Sequence, residues 1–215
     1  MHLDDETVRA AGRRGERHRL DEAGNASLSL SSVSRARQYE WTRPILDLAR
    51  DKQADFLRRS FQLPLAQVDS LRCEEVLDKP LPEMHIRASI TALRYANKTG
   101  SRLFVPVAPL RSGPGRFTTE RRHDLWIDKG YCDTDSLTLH LPEGYVVEAL
   151  PKSVTIENRF GKIAFEALCS GDRLHIRIRL LRRSGRYPQS EYAAFREFMQ
   201  AVDRVYSAKI VLRKV

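Results

Sequence analysis

The cysteines and histidines of this chain are the residues from which a nucleophilic site could be built. A catalytic cysteine needs a thiolate that is stabilised by a neighbouring histidine or by a helix N-terminus. Cys132, in the segment GYCDTDS, could serve with His123 or His140 as a cysteine amidase or protease. The segment leads into a predicted strand, however, so no helix N-terminus would activate the thiol. A non-catalytic chain is therefore the preferred interpretation, and the enzyme is the alternative.

The remaining candidate motifs predict no second chemical site. Cys73 lies in RCEE, where neighbouring acids would raise the pKa of its thiol. Cys169 has the strand parity of Ile163 and Phe165, which predicts a small buried side chain. No HxH, HxxxH or HExxH spacing occurs, and RSGPGRF lacks the GxxxxGK[ST] pattern of a phosphate-binding loop. The sequence therefore predicts no catalytic residue, no metal site and no cofactor.

Basic residues outnumber acidic ones, 37 to 28, which gives a formal net charge of +9. The densest basic stretch runs from Arg173 to Arg186 without an acid. Neither a helix-turn-helix pattern nor an aromatic ribonucleoprotein motif accompanies the charge, so a nucleic-acid partner is not predicted. His175, Arg177 and Arg179 share the outward parity of one predicted strand and form a candidate surface for an acidic partner. The alternative is that these side chains only keep the sheet face solvated.

Alternating apolar and polar residues predict about nine short strands, in segments such as EMHIRASITALRYA, DSLTLHL and RLHIRIRLL. A helical period predicts one helix at about 43–60, with Pro44 in its first turn, and another at about 190–206, with Ser190 as its cap. The predicted buried stripe of the second helix is Tyr192, Phe195, Phe198, Met199, Val202 and Val205. These elements predict a mainly β chain: an antiparallel β-sandwich with two packed helices.

The charged residues 1–20 are predicted to be a disordered or frayed lead-in, and residues 21–215 to be one β-sandwich domain. The Gly- and Pro-containing loop RSGPGRFTTERR suggests a sub-boundary near 111–120. No apolar run approaches the roughly 18 residues of a membrane helix, so no membrane span is predicted. The N-terminus has no apolar h-region, so no signal peptide is predicted within this chain.

Several segments in order resemble a known family. LPEGYVVEALPKSVTIENRFG, GRYPQSEYAAFREFMQAV and the terminal KIVLRK are similar to the C-terminal region of bacterial transglutaminase-like proteins. DEAGNASLSLS, YANKTGSRLFVPVAPL and ERRHDLWIDKGY fit the same order upstream, so the resemblance covers roughly residues 21–215. In those proteins a domain of unknown function precedes a papain-like transglutaminase core, and another β-rich domain follows it.

The resemblance implies an accessory role. The nucleophilic Cys, the His and the Asp of that family all precede the matched region, so no catalytic residue carries over to this chain. The implied function is a non-catalytic accessory or binding module that packs on a transglutaminase-like core or holds its protein or peptide substrate. The implied partners are a transglutaminase-like catalytic domain or an envelope protein or peptide, in a periplasmic or cell-surface setting.

Overall fold

The computed structural model describes residues 10–59, 65–108, 117 and 120–215. These residues form three sheets, three α-helices and two short 3-10 helices, and the chain is mainly β, as the sequence predicts. The predicted sub-boundary near 111–120 lies almost entirely outside the described residues.

The strands follow the predicted alternation of apolar and polar residues in most cases. Their bounds are β1 (Ala10–Leu20), β2 (Ala26–Ala36), β3 (Leu65–Val76), β4 (Glu83–Leu93), β5 (Asn97–Thr99), β6 (Arg102–Pro106), β7 (Leu125–Ile127), β8 (Tyr131–His140), β9 (Tyr145–Ala149), β10 (Val154–Asn158), β11 (Gly161–Ser170), β12 (Arg173–Arg182), β13 (Gly185–Tyr187) and β14 (Lys209–Lys214). The short strands β5, β7 and β13 are not predicted, because three residues are too few to show a period of two.

The strands are arranged in one large sheet and two small ones. Eight strands pair in the order β10-β11-β12-β8-β1-β2-β4-β3, four in the order β5-β6-β14-β9, and β13 pairs with β7. All pairs are antiparallel except β1 with β8, which run parallel. The large sheet is therefore mixed, and its middle is formed by strands that are far apart in sequence.

The first described strand corrects the prediction of a frayed lead-in. Residues 10–20 form β1, which lies inside the large sheet, with β2 on one side and β8 on the other. The part of the lead-in at residues 1–9 lies outside the described residues. Charged residues dominate this segment, but β1 places His18 and Leu20 in the core while Arg17 and Arg19 face solvent. The strand alternation is present there, and the polar character of the segment conceals it.

The helices are α1 (Arg37–Thr42), α2 (Arg50–Arg59) and α3 (Tyr192–Tyr206). The single helix predicted at 43–60 is instead a 3-10 helix (Arg43–Asp47), with Pro44 in its first turn, followed by α2. The extended backbone of Leu48 (φ −90°, ψ 148°) separates the two. The helix predicted at 190–206 is confirmed as α3, but Ser190 does not cap it, because Ser190 lies in a preceding 3-10 helix (Gln189–Glu191).

The apolar core joins the inner face of the large sheet to the four-stranded sheet and α3. All six residues of the predicted α3 stripe are buried, as are Leu174, Ile176, Ile178 and Leu180 of β12. Cys169 does not follow its predicted burial: it is exposed near the end of β11, beside the turn that begins at Gly171. Parity sets the face of the sheet, but a strand end can extend past the layer that would cover it.

A buried carboxylate, Glu83, lies at the start of β4 and is only 5% exposed. Its Oε2 accepts a hydrogen bond from His85 Nε2 at 2.7 Å, and its Oε1 accepts one from Arg35 Nε at 2.6 Å. The His85 bond, with support from Arg35, holds the pKa of Glu83 below its ordinary value although burial acts in the opposite direction. The ionised form of Glu83 is therefore part of the folded structure.

The turn between β1 and β2 depends on Gly24. Its φ is +86°, and a Cβ at this position would lie 2.4 Å from the carbonyl oxygen of Ala96. The Ala96 N–H in turn donates to the Gly24 carbonyl at 2.9 Å. Gly100 also has a positive φ, +58°, but a Cβ there would meet nothing within 4 Å. A side chain at Gly100 would therefore cause backbone strain alone, whereas a side chain at Gly24 would cause backbone strain and a steric clash.

Over the described ranges, none of the helices has the length and apolarity that crossing a membrane requires.

Candidate functional site

The alternative that pairs Cys132 with His140 does not fit the structure. Both residues lie on β8, eight positions apart, and an extended strand separates them by about 26 Å. His123 precedes β7, and no hydrogen bond between described residues joins it to Cys132. All three cysteines are free thiols.

Cys73 and Cys169 are the other two thiols, and their surroundings differ. Burial raises the pKa of the Cys73 thiol, which disfavours a thiolate there. Exposed Cys169 has its Sγ 3.7 Å from the carbonyl oxygen of Gly171. Among the residues that the structure describes, no three His, Cys, Asp or Glu side chains come together in a way that could hold a metal ion.

The predicted surface on β12 is present as an exposed row. His175, Arg177 and Arg179 alternate with the buried residues of the strand and point away from the core. His175 Nδ1 lies 3.2 Å from the hydroxyl of Thr138 on β8. Arg177 is opposite Ser136 of the same strand. Short hydroxyl side chains of β8 therefore lie beside this row, and the cationic groups of the row face solvent.

The parallel pairing of β1 with β8 extends this row across the sheet. Arg17 is aligned with Thr138, which is itself aligned with His175, so Arg17 and His175 are two strands, about 10 Å, apart. Arg19 lies two positions further along β1 on the same exposed face. We call the surface formed by Arg17, Arg19, His175, Arg177 and Arg179 the arginine face.

The arginines of this face lack acidic partners within the described part of the chain. Arg17, Arg19, Arg177 and Arg179 form no ion pair there. Between and beside them the outward positions of β8 and β2 carry hydroxyl side chains: Thr134, Ser136, Thr138, Ser27, Ser29 and Ser31. The nearest outward carboxylate in the register is Glu166 of β11, opposite Arg177. The middle of the sheet is therefore a broad surface with an excess of positive charge, in which Glu166 is a cross-strand neighbour of Arg177.

The far edge of the same sheet is electrostatically different. Glu74 on β3 lies 3.5 Å from the guanidinium of Arg72 and 3.6 Å from that of Arg87. Both of these arginines form an ion pair with Glu74, whereas no ion pair joins an arginine of the arginine face to a carboxylate among the described residues. The contrast shows that the charge of the arginine face is not a uniform property of the sheet.

An exposed apolar side chain borders the arginine face. Leu168 of β11 is directly opposite His175 in the register and is 70% exposed. An apolar residue of this size gains nothing from contact with water. The arginine face therefore combines cations and hydroxyls with an apolar contact point at its rim.

The sequence analysis identified the β12 half of this surface and missed Arg17 and Arg19. A signal was available, because His18 and Leu20 alternate with the two arginines, but the neighbouring charges obscured it. No sequence pattern indicated that β1 would lie beside β8, since that pairing joins segments more than a hundred residues apart.

Comparisons with known proteins give one family match. A family model described as a domain of unknown function with a solved structure, DUF3858, matches residues 101–212, slightly more than half of the chain. A search of curated proteins finds no sequence match.

Two solved structures share similarity with the chain. One is a candidate protease from Parabacteroides distasonis ATCC 8503, with 5% identity, a TM-score of 0.41, and coverage of 95% of this chain and 99% of that one. The other is baculovirus P35, with 7% identity, a TM-score of 0.20, and coverage of 95% and 96%. Both TM-scores are too low to support an argument about fold or function.

Proposed function

This chain belongs to the DUF3858 family of domains of unknown function, and from that premise we propose that it is a non-catalytic accessory module. Its arginine face binds an acidic segment of a protein or peptide partner. The observation that carries this proposal is the set of four exposed arginines, on two strands brought together by the fold, that have no acidic partner in the described residues.

Electrostatic complementarity is the physical basis of the binding. Uncompensated like charges on one surface repel each other, and an acidic partner relieves that repulsion and is steered to the surface as it approaches. The Ser and Thr side chains between the arginines are short and project little from the sheet, so a partner backbone can approach the sheet closely. Ser and Thr hydroxyls can also donate to carboxylates and carbonyl groups.

Two features favour a polypeptide over a nucleic acid. The arginine face contains no Phe, Tyr or Trp ring on which a base could stack, and its one ring is the imidazole of His175; base stacking on large aromatic rings is the usual basis of single-strand binding. Leu168 at its rim offers an apolar contact of the kind that protein interfaces bury. The surface therefore fits an acidic protein segment with an apolar residue at one end.

The sequence resemblance suggests where the partner is to be sought. A transglutaminase-like catalytic domain, or an envelope protein or peptide that such a domain acts on, is the first candidate. An extracytoplasmic setting follows from the same resemblance.

The test compares two variants with equal loss of charge. Labelled Glu-rich and Lys-rich peptides of equal length are titrated against the intact chain, against Arg177→Ser/Arg179→Ser, and against the control Arg50→Ser/Arg59→Ser on α2. We expect the Glu-rich peptide alone to bind. Two exposed charge contacts are worth about 1–2 kcal/mol together, so the β12 variant should bind about tenfold more weakly. The α2 variant should bind as the intact chain does.

Three results would contradict the proposal. They are equal binding of both peptides, an equal loss in both double variants, or an oligonucleotide that displaces the acidic peptide at lower concentration than the unlabelled peptide itself. Far-ultraviolet circular dichroism of each variant controls for folding.

A further inference from the structure

A pocket of about 250 Å³ lies at the end of β12, away from the arginine face. Arg182, the last residue of β12, lines it and has the inward parity of the strand, whereas Arg177 and Arg179 have the outward parity. β7 contributes Leu125, Trp126 and Ile127, and α3 contributes Tyr192 and Phe195. Segments from three parts of the chain therefore meet at this one cavity.

The lining carries more positive than negative charge. Arg121, Lys129 and Arg182 are its cations, and Asp128 is its single acid. Asp128 already has Lys129 and Arg37 at 4.0 Å each. The pocket consequently retains two guanidinium groups that Asp128 does not neutralise.

The two guanidinium groups are held by neutral partners. Arg182 Nη2 donates to the Lys129 carbonyl at 3.2 Å, and its Nε is buried without an acceptor among the described residues. Arg121 Nε donates to the carbonyl of His123 at 3.0 Å. Each bond fixes a guanidinium in place and leaves its charge uncompensated. Because the Nε atom is enclosed by the protein, a ligand in the pocket would meet Arg182 through the Nη atoms of its guanidinium.

Aromatic rings surround these cations. The guanidinium of Arg182 lies 4.7 Å from the ring centroid of Tyr131. The guanidinium of Arg121 lies 5.7 Å from the ring centroid of Tyr192. Trp126 is 62% exposed, which is high for so large an apolar residue, and it contributes to the pocket wall. Phe195 is buried and also lines the cavity. The lining thus combines aromatic rings with guanidinium groups.

We propose that this pocket binds a carboxylate attached to an aromatic or other apolar group. That chemistry occurs at the C-terminal residue of a peptide and in a free aromatic acid. The guanidinium groups of Arg182 and Arg121 receive the carboxylate, and the rings of Trp126, Tyr192 and Phe195 contact the apolar part. The volume lies below the roughly 300–1,000 Å³ of sites for larger ligands, which suits a single residue.

The two tryptophans of the chain provide the readout. Trp126 lines the pocket. Trp41 contacts Lys129, another lining residue, whose ammonium lies 5.5 Å from the centroid of the Trp41 ring. Tryptophan fluorescence of the intact chain therefore reports on this site. A Trp41→Phe variant leaves Trp126 as the single reporter.

The probe is N-acetyl-phenylalanine, and its matched control is N-acetyl-phenylalanine amide, which differs in lacking the charge. We expect a saturable fluorescence change with the acid and at least about tenfold weaker binding of the amide. Arg182→Gln should reduce affinity for the acid to a similar extent. Arg177→Ser/Arg179→Ser should leave it unchanged, which separates this proposal from the proposed function.

Two further arms complete the design. Arg121→Gln repeats the test at a residue outside the sheets, so a folding defect of Arg182→Gln leaves the proposal testable. A short peptide ending in phenylalanine distinguishes the two possible ligands. If it binds at least as tightly as the single residue, the ligand of the pocket is a polypeptide terminus; if it does not bind, the ligand is a free acid. The proposal is overturned if no probe gives a saturable change, or if acid and amide bind equally.

Discussion

Replacing Arg17 by proline tests whether residues 10–20 form an internal strand. In β1, Arg17 is paired with Ser29 of β2 on one side and with Thr138 of β8 on the other. Because both sides are occupied, the Arg17 N–H belongs to one of the two hydrogen-bond ladders. Proline removes this donor, leaves the facing carbonyl without its partner, and restrains φ to about −65°, away from the extended range.

The expected cost is about 3 kcal/mol, from the lost bond, the orphaned carbonyl and the distorted backbone. For a chain of this length, each kcal/mol lowers the melting temperature by about 2–4 °C, so the expected decrease is about 6–12 °C. Arg17→Ser is the matched control, because it removes the same exposed side chain and keeps the N–H. Its effect should stay within about 0.5 kcal/mol.

The assay is thermal unfolding of the intact chain and both variants, followed by circular dichroism. A proline variant that melts within about 2 °C of the intact chain would refute the reasoning, since a frayed segment accommodates proline without loss. An equal decrease in both variants would also refute it, because the effect would then belong to the side chain.

Three other perturbations have defined outcomes. Glu83→Gln should destabilise the fold by about 1–3 kcal/mol near neutral pH. Folding lowers the pKa of Glu83, so the stability contributed by its carboxylate is present above its ordinary pKa of about 4.3 and is lost as the pH falls. In chemical denaturation between about pH 5 and pH 3, the variant should therefore lose less stability than the intact chain. Gly24→Ala should lower the melting temperature more than Gly100→Ala, because the first adds a clash to a backbone strain of about 1–3 kcal/mol that both share; equal decreases would argue against the clash. Iodoacetamide should label exposed Cys169 before Cys73, because burial raises the pKa of the Cys73 thiol. Peptide mass spectrometry would record the order of labelling, and faster labelling of Cys73 would contradict its burial.

The local elements of this protein could be predicted from the sequence. The alternation in β12 assigned Leu174, Ile176 and Ile178 to the core, and the 3.6-residue period of α3 assigned its buried stripe; both are confirmed. Such patterns depend on neighbours a few positions away, and the geometry of a strand or a helix sets which of those neighbours share a face. The outward position of Arg177 and Arg179 followed from the same rule.

The arrangement of those elements could not be predicted in the same way. Strand parity tells which face a side chain occupies, but not which strand lies beside it, because that choice depends on hydrogen bonding and burial between distant segments. Only the tertiary structure placed β1 next to β8, and so brought Arg17 to the surface that carries His175. The pocket has the same origin, since Arg121 and Arg182 reach one cavity through the packing of β7, β12 and α3. The sequence by itself determined the core-facing sides of β12 and α3, whose patterns are regular, and the fold decided the burial of His18 and the exposure of Cys169, and which of the outward residues meet.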